Sequence, residues 1–222
     1  MLKWIYPNLL WRVNTQQNEV YLTFDDGPVP GPTEFVLETL KAFQAKATFF
    51  CIGDNIRKHP DVFDRVLRER HAIGNHTFNH LKGWNTPLEK YLDNTRLCQM
   101  EISNLVPSME MHTPAVRLFR PPYGRITNSQ IRALKNDFQI VMWDVLTSDY
   151  NQSLSPEKCL QGSVRATRPG SIVVFHDSLK AEKNLSHVLP RYLETMTSRG
   201  FVFKTLDHAL KPMGHEGIGD AT

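Results

Sequence analysis

Short apolar runs alternate with longer amphipathic stretches along most of the chain. Seven runs rich in β-branched or aromatic residues predict strands at residues 20–24, 47–53, 71–76, 116–120, 139–146, 171–175 and 201–206. Between them, apolar residues recur at helical spacing and predict helices over residues 33–44, 61–70, 87–103, 128–136, 155–166 and 185–198. Thr33, Thr86 and Ser155 are the predicted N-caps of three of these helices. Strict alternation of strand and helix favours a parallel sheet with helical crossovers, either open or closed into a barrel.

The pattern predicts one α/β domain over residues 18–210, since no linker, repeat or low-complexity tract divides it. Residues 1–17 are partly apolar but are broken by Pro7, Asn8 and Arg12, and we expect them to pack on the fold. A weak membrane-surface anchor through their aromatic residues is the alternative. Residues 211–222 are glycine-rich without periodicity, which is typical of a flexible tail.

Composition and charge exclude several classes of protein. Hydrophobic residues make up 41% and charged residues 22% of the chain, as in an ordinary globular protein. A net charge of +3 without a run of like charges argues against nucleic acid as a partner. No apolar stretch is long enough for a membrane span. Cys51, Cys98 and Cys159 are odd in number and widely spaced, so we expect reduced thiols. Reduced cysteines and the absence of a signal-peptide pattern together predict a cytoplasmic location.

Polar and ionisable side chains collect where the predicted strands end. The carboxyl ends of parallel strands lie on one face, where barrel and open α/β enzymes build their sites. Five of the seven predicted strands end in such residues, which indicates one shared pocket. The five segments are Asp25-Asp26-Gly27-Pro28, the stretch with His76 and His80, Arg120-Pro121-Pro122-Tyr123-Gly124, the stretch with Trp143, Asp144, Asp149 and Tyr150, and His176-Asp177.

The pair His76 and His80 suggests a metal site. Two histidines four residues apart, with one carboxylate, form a His₂Asp set that leaves a coordination position open, as in catalytic zinc sites. Successive side chains of a strand point to opposite faces, so Asp25 and Asp26 can share a pocket only if the strand ends between them. The following Gly27-Pro28 is a plausible cause of such a break. Each motif alone has an ordinary interpretation, a surface histidine pair or a turn-forming aspartate pair. Their combination favours a divalent metal, Zn²⁺ first, with Co²⁺ or Ni²⁺ as alternatives.

Four stretches of the sequence resemble the motifs of a known family. TFDDG (23–27), HTFNH (76–80), RPPYG (120–124) and the strand ending in His176-Asp177 are similar to four of the five signature motifs of the polysaccharide deacetylases, carbohydrate esterase family four. The motifs fall in the family's order and spacing, and the likeness covers about residues 18–210. It implies a distorted (β/α)₇ barrel of parallel strands and a metal-dependent hydrolase of carbon–nitrogen bonds that removes acetate from N-acetylated sugars.

The resemblance also implies a role for each matching residue. In this family the first aspartate is the catalytic base, the second binds the metal with the two histidines, and metal-activated water attacks the acetyl carbonyl. The implied catalytic residues are Asp25, Arg120 to orient it, Tyr123 through its backbone N–H, and His176 as general acid. The implied metal ligands are Asp26, His76 and His80, and the implied supporting residues are Thr77, Asp149 and Asp177. The implied substrate-binding residues are Val174, at the acetyl methyl, and Trp84, Tyr150 and Pro122.

One motif departs from the family pattern. In the stretch WDVLTSDYN (143–151), Leu146 stands where the family has an aspartate that tethers the arginine, and Tyr150 replaces a tryptophan. Arg120 therefore lacks its usual anchor, and Asp144, Asp149 or a backbone carbonyl is the candidate replacement.

Three functions remain open on the sequence alone. The first is N-deacetylation of a glycan or oligosaccharide. The second is hydrolysis of an O-acetyl ester or a small amide in the same site. The third, a catalytically silent glycan-binding relative, is weakened because the predicted ligands, base and acid are all present. A cytoplasmic location would favour a small soluble carbohydrate as the substrate. The sequence carries no sign of an oligomeric state.

Overall fold

The computed structural model describes residues 6–106 and 116–210. The start of the predicted N-terminal segment, residues 1–5, and the predicted tail, residues 211–222, lie outside the described residues.

In the described part of the chain, eight strands form one curved sheet in the order β5-β4-β3-β2-β1-β7-β6, and β8 pairs with the first residues of β1. All of these pairings are parallel. The strands are β1 (Glu19–Asp25), β2 (Thr48–Cys51), β3 (Ala72–Asn75), β4 (Leu118–Phe119), β5 (Gln139–Ile140), β6 (Val145–Leu146), β7 (Ile172–His176) and β8 (Val202–Phe203).

Helices connect most of the strands and cover the outer face of the sheet. They are α1 (Pro32–Ala42), α2 (Gly53–Lys58), α3 (Pro60–Arg68), α4 (Leu88–Leu105), α5 (Asn128–Leu134), α6 (Pro156–Ala166), α7 (Glu182–Ser198) and α8 (Leu206–Ala209), with a 3₁₀ turn at Pro122–Gly124. No helix in the described ranges combines the length and apolarity that crossing a membrane requires.

The helix starts bear out one of the three predicted caps. Ser155 caps α6, and its hydroxyl accepts the N–H of Lys158. Gly31 and Pro87 take the cap positions of α1 and α4, so the predictions of Thr33 and Thr86 were wrong. Thr33 lies inside the first turn of α1, where its hydroxyl is used in the site described below.

The strand predicted at residues 139–146 is two strands. β5 pairs with β4, and β6 pairs with β7 at the other end of the sheet. The four residues between them cross the gap, where Met142 N–H donates to Leu10 O and Asp144 N–H donates to Ile172 O. The first two crossing residues, Val141 and Met142, are apolar and buried like the strands, so hydropathy alone did not reveal the break.

The N-terminal segment spans the same gap. Leu10 forms a parallel bridge with Val141, and Arg12 forms an antiparallel bridge with Ser171. The Arg12 guanidinium also donates to Pro169 O at 2.6 and 2.9 Å. The segment therefore joins the two ends of the curved sheet.

Alternate residues of β1 belong to two different apolar clusters. Leu22 and Phe24 of β1 pack with the helices in the large outer core, as do Val173 and Phe175 of β7. Tyr21 belongs instead to a smaller cluster on the inner face of the sheet. Side chains alternate along a strand, so Thr23 and Asp25 face the same side of β1 as Tyr21. Both therefore face inward.

Candidate active site

The two adjacent aspartates share one pocket because the backbone turns sharply between them. β1 ends at Asp25, and Asp26 has a φ of 87°, in the left-handed region. The turn is held by neighbouring groups: Asn55 Nδ2 donates to Asp26 O at 2.7 Å, and Ile52 N–H donates to Gly27 O at 2.9 Å. Both carboxylates therefore lie near the imidazole of His76.

Three donor atoms converge beside this turn. A carboxylate oxygen of Asp26 and ring nitrogens of His76 and His80 all lie within 4.8 Å of one another. Asp26 Oδ1 is 3.3 Å from His80 Nε2 and 3.8 Å from His76 Nε2. The predicted ligand set is thus brought together by the fold.

The histidine loop orients both rings. The other ring nitrogen of His76, Nδ1, lies 2.7 Å from Arg120 O, which leaves Nε2 toward the aspartates. Burial, the largest influence, lowers the pKa of His76 to about 4, so its ring is neutral and available as a ligand at neutral pH. Thr77 supports the turn, since its hydroxyl accepts the N–H of Leu81 at 2.8 Å, immediately after His80.

Asp25 is held as an anion by Arg120. Arg120 Nη1 donates to Asp25 Oδ1 at 2.6 Å, and both side chains are buried. Burial favours the neutral acid, but the positive charge of Arg120, with a smaller contribution from His176, outweighs it and keeps the pKa of Asp25 below its usual value. Its second oxygen, Oδ2, lies 3.9 Å from His76 Nε2.

Backbone carbonyls replace the missing anchor of Arg120. Its Nη2 donates to Met142 O at 3.0 Å, its Nε donates to Val141 O at 3.4 Å, and Nη1 also donates to the hydroxyl of Thr23 at 2.7 Å. The guanidinium carbon lies 4.1 Å from the centre of the Phe50 ring. Of the three candidates left open by the sequence, the carbonyls are the ones used.

The two candidate carboxylates hold other groups instead. Asp144 accepts the N–H of Ile172 and the hydroxyl of Ser171 at the start of β7. Asp149 accepts the backbone N–H of His176 and lies 2.7 Å from its Nδ1.

His176 and Asp149 form a charged pair. Burial alone would lower the pKa of His176, but the ion pair and hydrogen bond with Asp149, with smaller effects of Asp26 and Asp25, raise it to about 9. Because Nδ1 faces Asp149, Nε2 is the nitrogen left for the pocket. The arrangement keeps a proton available at neutral pH.

Asp177 ties β7 to the aspartate turn. Its carboxylate accepts the N–H of Gly27 at 2.9 Å and the hydroxyl of Thr33 at 2.6 Å, and its own N–H donates to Asp25 O. Burial raises the pKa of Asp177 to about 8 despite these donors. Its contacts give it a positioning role for the turn that carries Asp25 and Asp26.

Strained backbone is concentrated here. Asp26, Thr77, His80 and Tyr123 all have a φ between 54° and 87°, and each is a predicted site residue. Such conformations cost about 1–3 kcal/mol each and persist where the surroundings enforce them, often at functional sites.

Comparison with known proteins decides the family. The family profile described as polysaccharide deacetylase matches residues 12–142, more than half of the chain. A peptidoglycan-N-acetylglucosamine deacetylase of Bacillus cereus is 32% identical over 204 residues, which cover 90% of this chain and 92% of that protein. The chain belongs to the polysaccharide deacetylase family. The predicted resemblance is therefore confirmed, and with it the assignment to a family of carbon–nitrogen hydrolases.

Further comparisons support the fold of this family member. Chitin deacetylase 2 of Saccharomyces cerevisiae is 34% identical over 187 residues, which cover 78% of this chain and 56% of that protein. The crystal structure of a peptidoglycan N-acetylglucosamine deacetylase superposes with a TM-score of 0.84 over 95% of this chain and 96% of that chain, at 28% identity. The predicted distorted barrel of parallel strands is confirmed.

The predicted substrate-binding residues of this family member lie in different surroundings. Val174 and Pro122 are buried, whereas Trp84 and Tyr150 reach the surface. The Tyr150 ring stands edge-on to His176 with centroids 4.9 Å apart, so it borders the pocket. The Trp84 ring has the Arg125 guanidinium 5.1 Å from its centre, and its N–H donates to Ile126 O.

Tyr123 lies beside the predicted metal ligand His80. Its side chain is 60% exposed, and its ring centroid is 4.5 Å from that of His80. Its backbone φ of 60° is in the left-handed region.

Three residues of this family member support the site but were not predicted from the sequence. Thr23 holds Arg120, Asn55 holds the aspartate turn, and Asn75 Oδ1 accepts the N–H of Thr77 at 2.9 Å. Asn55 follows the end of β2, so the strand-end criterion that found the other residues would also have included it. Thr23 and Asn75 lie within strands, and no sequence signal distinguishes them from ordinary core residues.

Proposed function

We propose that the chain is a metal-dependent N-deacetylase that hydrolyses the acetamido group of N-acetylated sugars in a glycan or oligosaccharide and releases acetate. The observation that carries the proposal is the convergence of Asp26, His76 and His80 next to a carboxylate that Arg120 keeps ionised. The relatives named as peptidoglycan and chitin deacetylases support a carbohydrate substrate of this kind.

The residues present fit a divalent cation. Asp26 Oδ1 is buried and accepts no hydrogen bond from the described residues, so this anionic oxygen has only the two imidazoles beside it. Such an oxygen is costly unless a cation pairs with it. Two imidazoles and one carboxylate are a donor set of catalytic Zn²⁺, and Co²⁺ or Ni²⁺ accepts the same donors. When bound, the ion supplies Lewis acidity, which lowers the pKa of water and polarises an acyl oxygen.

Asp25 is the proposed general base. Arg120 occupies its Oδ1, so Oδ2, on the side of His76, is the oxygen that accepts a proton from the attacking water. Its lowered pKa means that the carboxylate is ionised before the reaction begins. Loss of the Arg120 contact would let the carboxylate rotate and would raise its pKa.

His176 is the proposed general acid. With Nδ1 held by Asp149, Nε2 donates its proton to the departing nitrogen as the carbon–nitrogen bond breaks and the new carbon–oxygen bond forms. The products are the free amine and acetic acid, which loses its proton to solvent and is released as acetate. One turnover leaves a proton on Asp25 and removes one from His176, and exchange with solvent restores both groups.

The proposal is tested by acetate release from chito-oligosaccharides by the Zn²⁺-loaded protein, with and without a chelator. A matched pair of variants sharpens the test: His80→Ala removes a ligand, whereas His187→Ala removes a partly exposed histidine on α7 that lies 3.4 Å from Glu157. Wild type and His187→Ala should release acetate, and the chelated protein and His80→Ala should not.

Two other outcomes would replace the proposal. Acetate from O-acetylated xylo-oligosaccharides but not from the amide substrates would identify an ester hydrolase. Bound metal without acetate from any amide or ester would identify a glycan-binding relative.

A further inference from the structure

Leu146 is an exposed leucine at the edge of the proposed active site. Its side chain is 38% exposed on the short strand β6, while its chain neighbours Val145 and Thr147 are buried. It stands where the resemblance predicts an aspartate, and the structure shows that Arg120 does not need a carboxylate at this position. Anchoring Arg120 therefore does not determine which side chain stands at position 146.

The register of β6 and β7 fixes the direction of this side chain. Val145 pairs with Val173, and both pack in the outer core beneath the helices. Leu146 pairs with Val174, one residue further along each strand. Because side chains alternate, Leu146 and Val174 lie side by side on the inner face of the sheet.

The same face carries the catalytic groups. His176 follows Val174 by two residues on β7, and β1 places Asp25 in register with His176. Leu146 thus lies one strand away from Val174, at the level directly below His176. Val174 is almost fully buried, whereas Leu146 is 38% exposed, so Leu146 offers more accessible apolar surface than Val174 at this level.

The backbone around Leu146 is firmly held. The Thr147 hydroxyl donates to Val174 O at 2.8 Å, and Asp149, three residues beyond Leu146, binds both the N–H and the ring of His176. The leucine is consequently a fixed wall and not part of a mobile loop.

We propose that Leu146 is a specificity residue that extends the apolar wall begun by Val174, so that the site hydrolyses N-acyl groups longer than acetyl, such as N-propionyl. The inference rests on the proposed function, because it concerns the acyl group of the same reaction. Each methylene of the acyl chain that is removed from water against this wall is expected to improve kcat/KM by about three- to fourfold. A carboxylate or amide at position 146 would remain hydrated and give no such gain.

The test compares kcat/KM for fully N-acetylated and fully N-propionylated chitotetraose, measured as release of acetate or propionate. In the wild type, the propionyl-to-acetyl ratio should exceed that of Leu146→Asn by about three- to fourfold. Leu146→Asn keeps the side-chain size but removes the apolar surface. Leu105→Asn is the matched control, since Leu105 is also a leucine with 38% exposure, but at the end of α4.

A binding measurement gives a second readout. Metal-free protein should bind the propionyl tetrasaccharide more tightly than the acetyl one by calorimetry, and Leu146→Asn should abolish that difference. Acetate release with a ratio that is the same in wild type and Leu146→Asn would overturn the inference and leave the proposed function standing. Absence of carboxylate release from either substrate would refute the proposed function, and this inference with it.

Discussion

Replacing Asp149 by asparagine should move the pH dependence of the reaction without dismantling the site. Asparagine keeps an oxygen that can accept hydrogen bonds from the His176 backbone and ring, but it removes the negative charge that holds the imidazole protonated. The pKa of His176, raised to about 9 mainly by Asp149, should therefore fall toward its ordinary value of 6.5.

The sign and size of the effect follow from the role of His176. A general acid works only when protonated, so kcat falls as the pH rises through its pKa. Burial lowers this pKa, while Asp26 and Asp25 raise it, so we expect it to fall by at least about one unit when Asp149 loses its charge. For a displacement of one unit, the protonated fraction at pH 9 drops from about one half to about one tenth, and kcat drops about fivefold. At pH 6 the two proteins should differ by less than about twofold.

The assay is the pH profile of kcat for acetate release at saturating substrate, from pH 5.5 to pH 10. Asp144→Asn is the matched control, because Asp144 is a carboxylate of the same segment that holds Ser171 and Ile172 instead of His176. Its basic limb should stay where the wild-type limb lies. A basic limb at the same pH in wild type and Asp149→Asn would refute the assignment of His176 as an acid tuned by Asp149.

Two further predictions concern the groups around Asp25. Arg120→Ala should lower kcat at least tenfold, about 1.4 kcal/mol of transition-state stabilisation, because Asp25 loses its orienting partner; an unchanged kcat in steady-state assays would show that the arginine has no such role. Gly27→Ala should destabilise the fold by about 1–3 kcal/mol in urea unfolding, because its Cβ would lie 2.0 Å from Asp177 Oδ2, whose carboxylate is held by Thr33. Gly162→Ala in α6, where a Cβ meets nothing, should instead be stabilising by up to about 1 kcal/mol, and equal effects of the two substitutions would contradict the packing argument.

Hydrophobic periodicity was enough to predict most of the architecture. Buried strands such as β1 and β7 are continuous apolar runs, and each ends abruptly in charged residues, so both their existence and the location of the site were readable. The split between β5 and β6 could not be read from the sequence. Val141 and Met142, which lie between the two strands beside the N-terminal segment, are buried and apolar like the strands themselves. The short helix α2 was also missed, since its six residues are too few to show a period.

The predicted metal ligands lie together beside Asp25 and Arg120, but the supports of these residues were only partly predictable. Motif spacing located the donor atoms because they follow strand ends directly. The anchor of Arg120 is made of the carbonyls of Val141 and Met142, and every residue has a carbonyl, so no residue type could signal it. Thr33 looked like a helix cap for the same reason that it suits Asp177: a small hydroxyl near a helix start serves either partner.

We propose that Asp26, His76 and His80 hold a metal ion on which N-deacetylation depends. Chelator-stripped protein is titrated with Zn²⁺, and bound metal and the rate of acetate release from chito-oligosaccharides are measured on the same samples. The rate should rise in proportion to bound metal and level off at one ion per chain, and Asp26→Ala should give neither tight binding nor acetate. Full acetate release by the stripped protein, or one tightly bound ion per chain without acetate, would contradict the proposal.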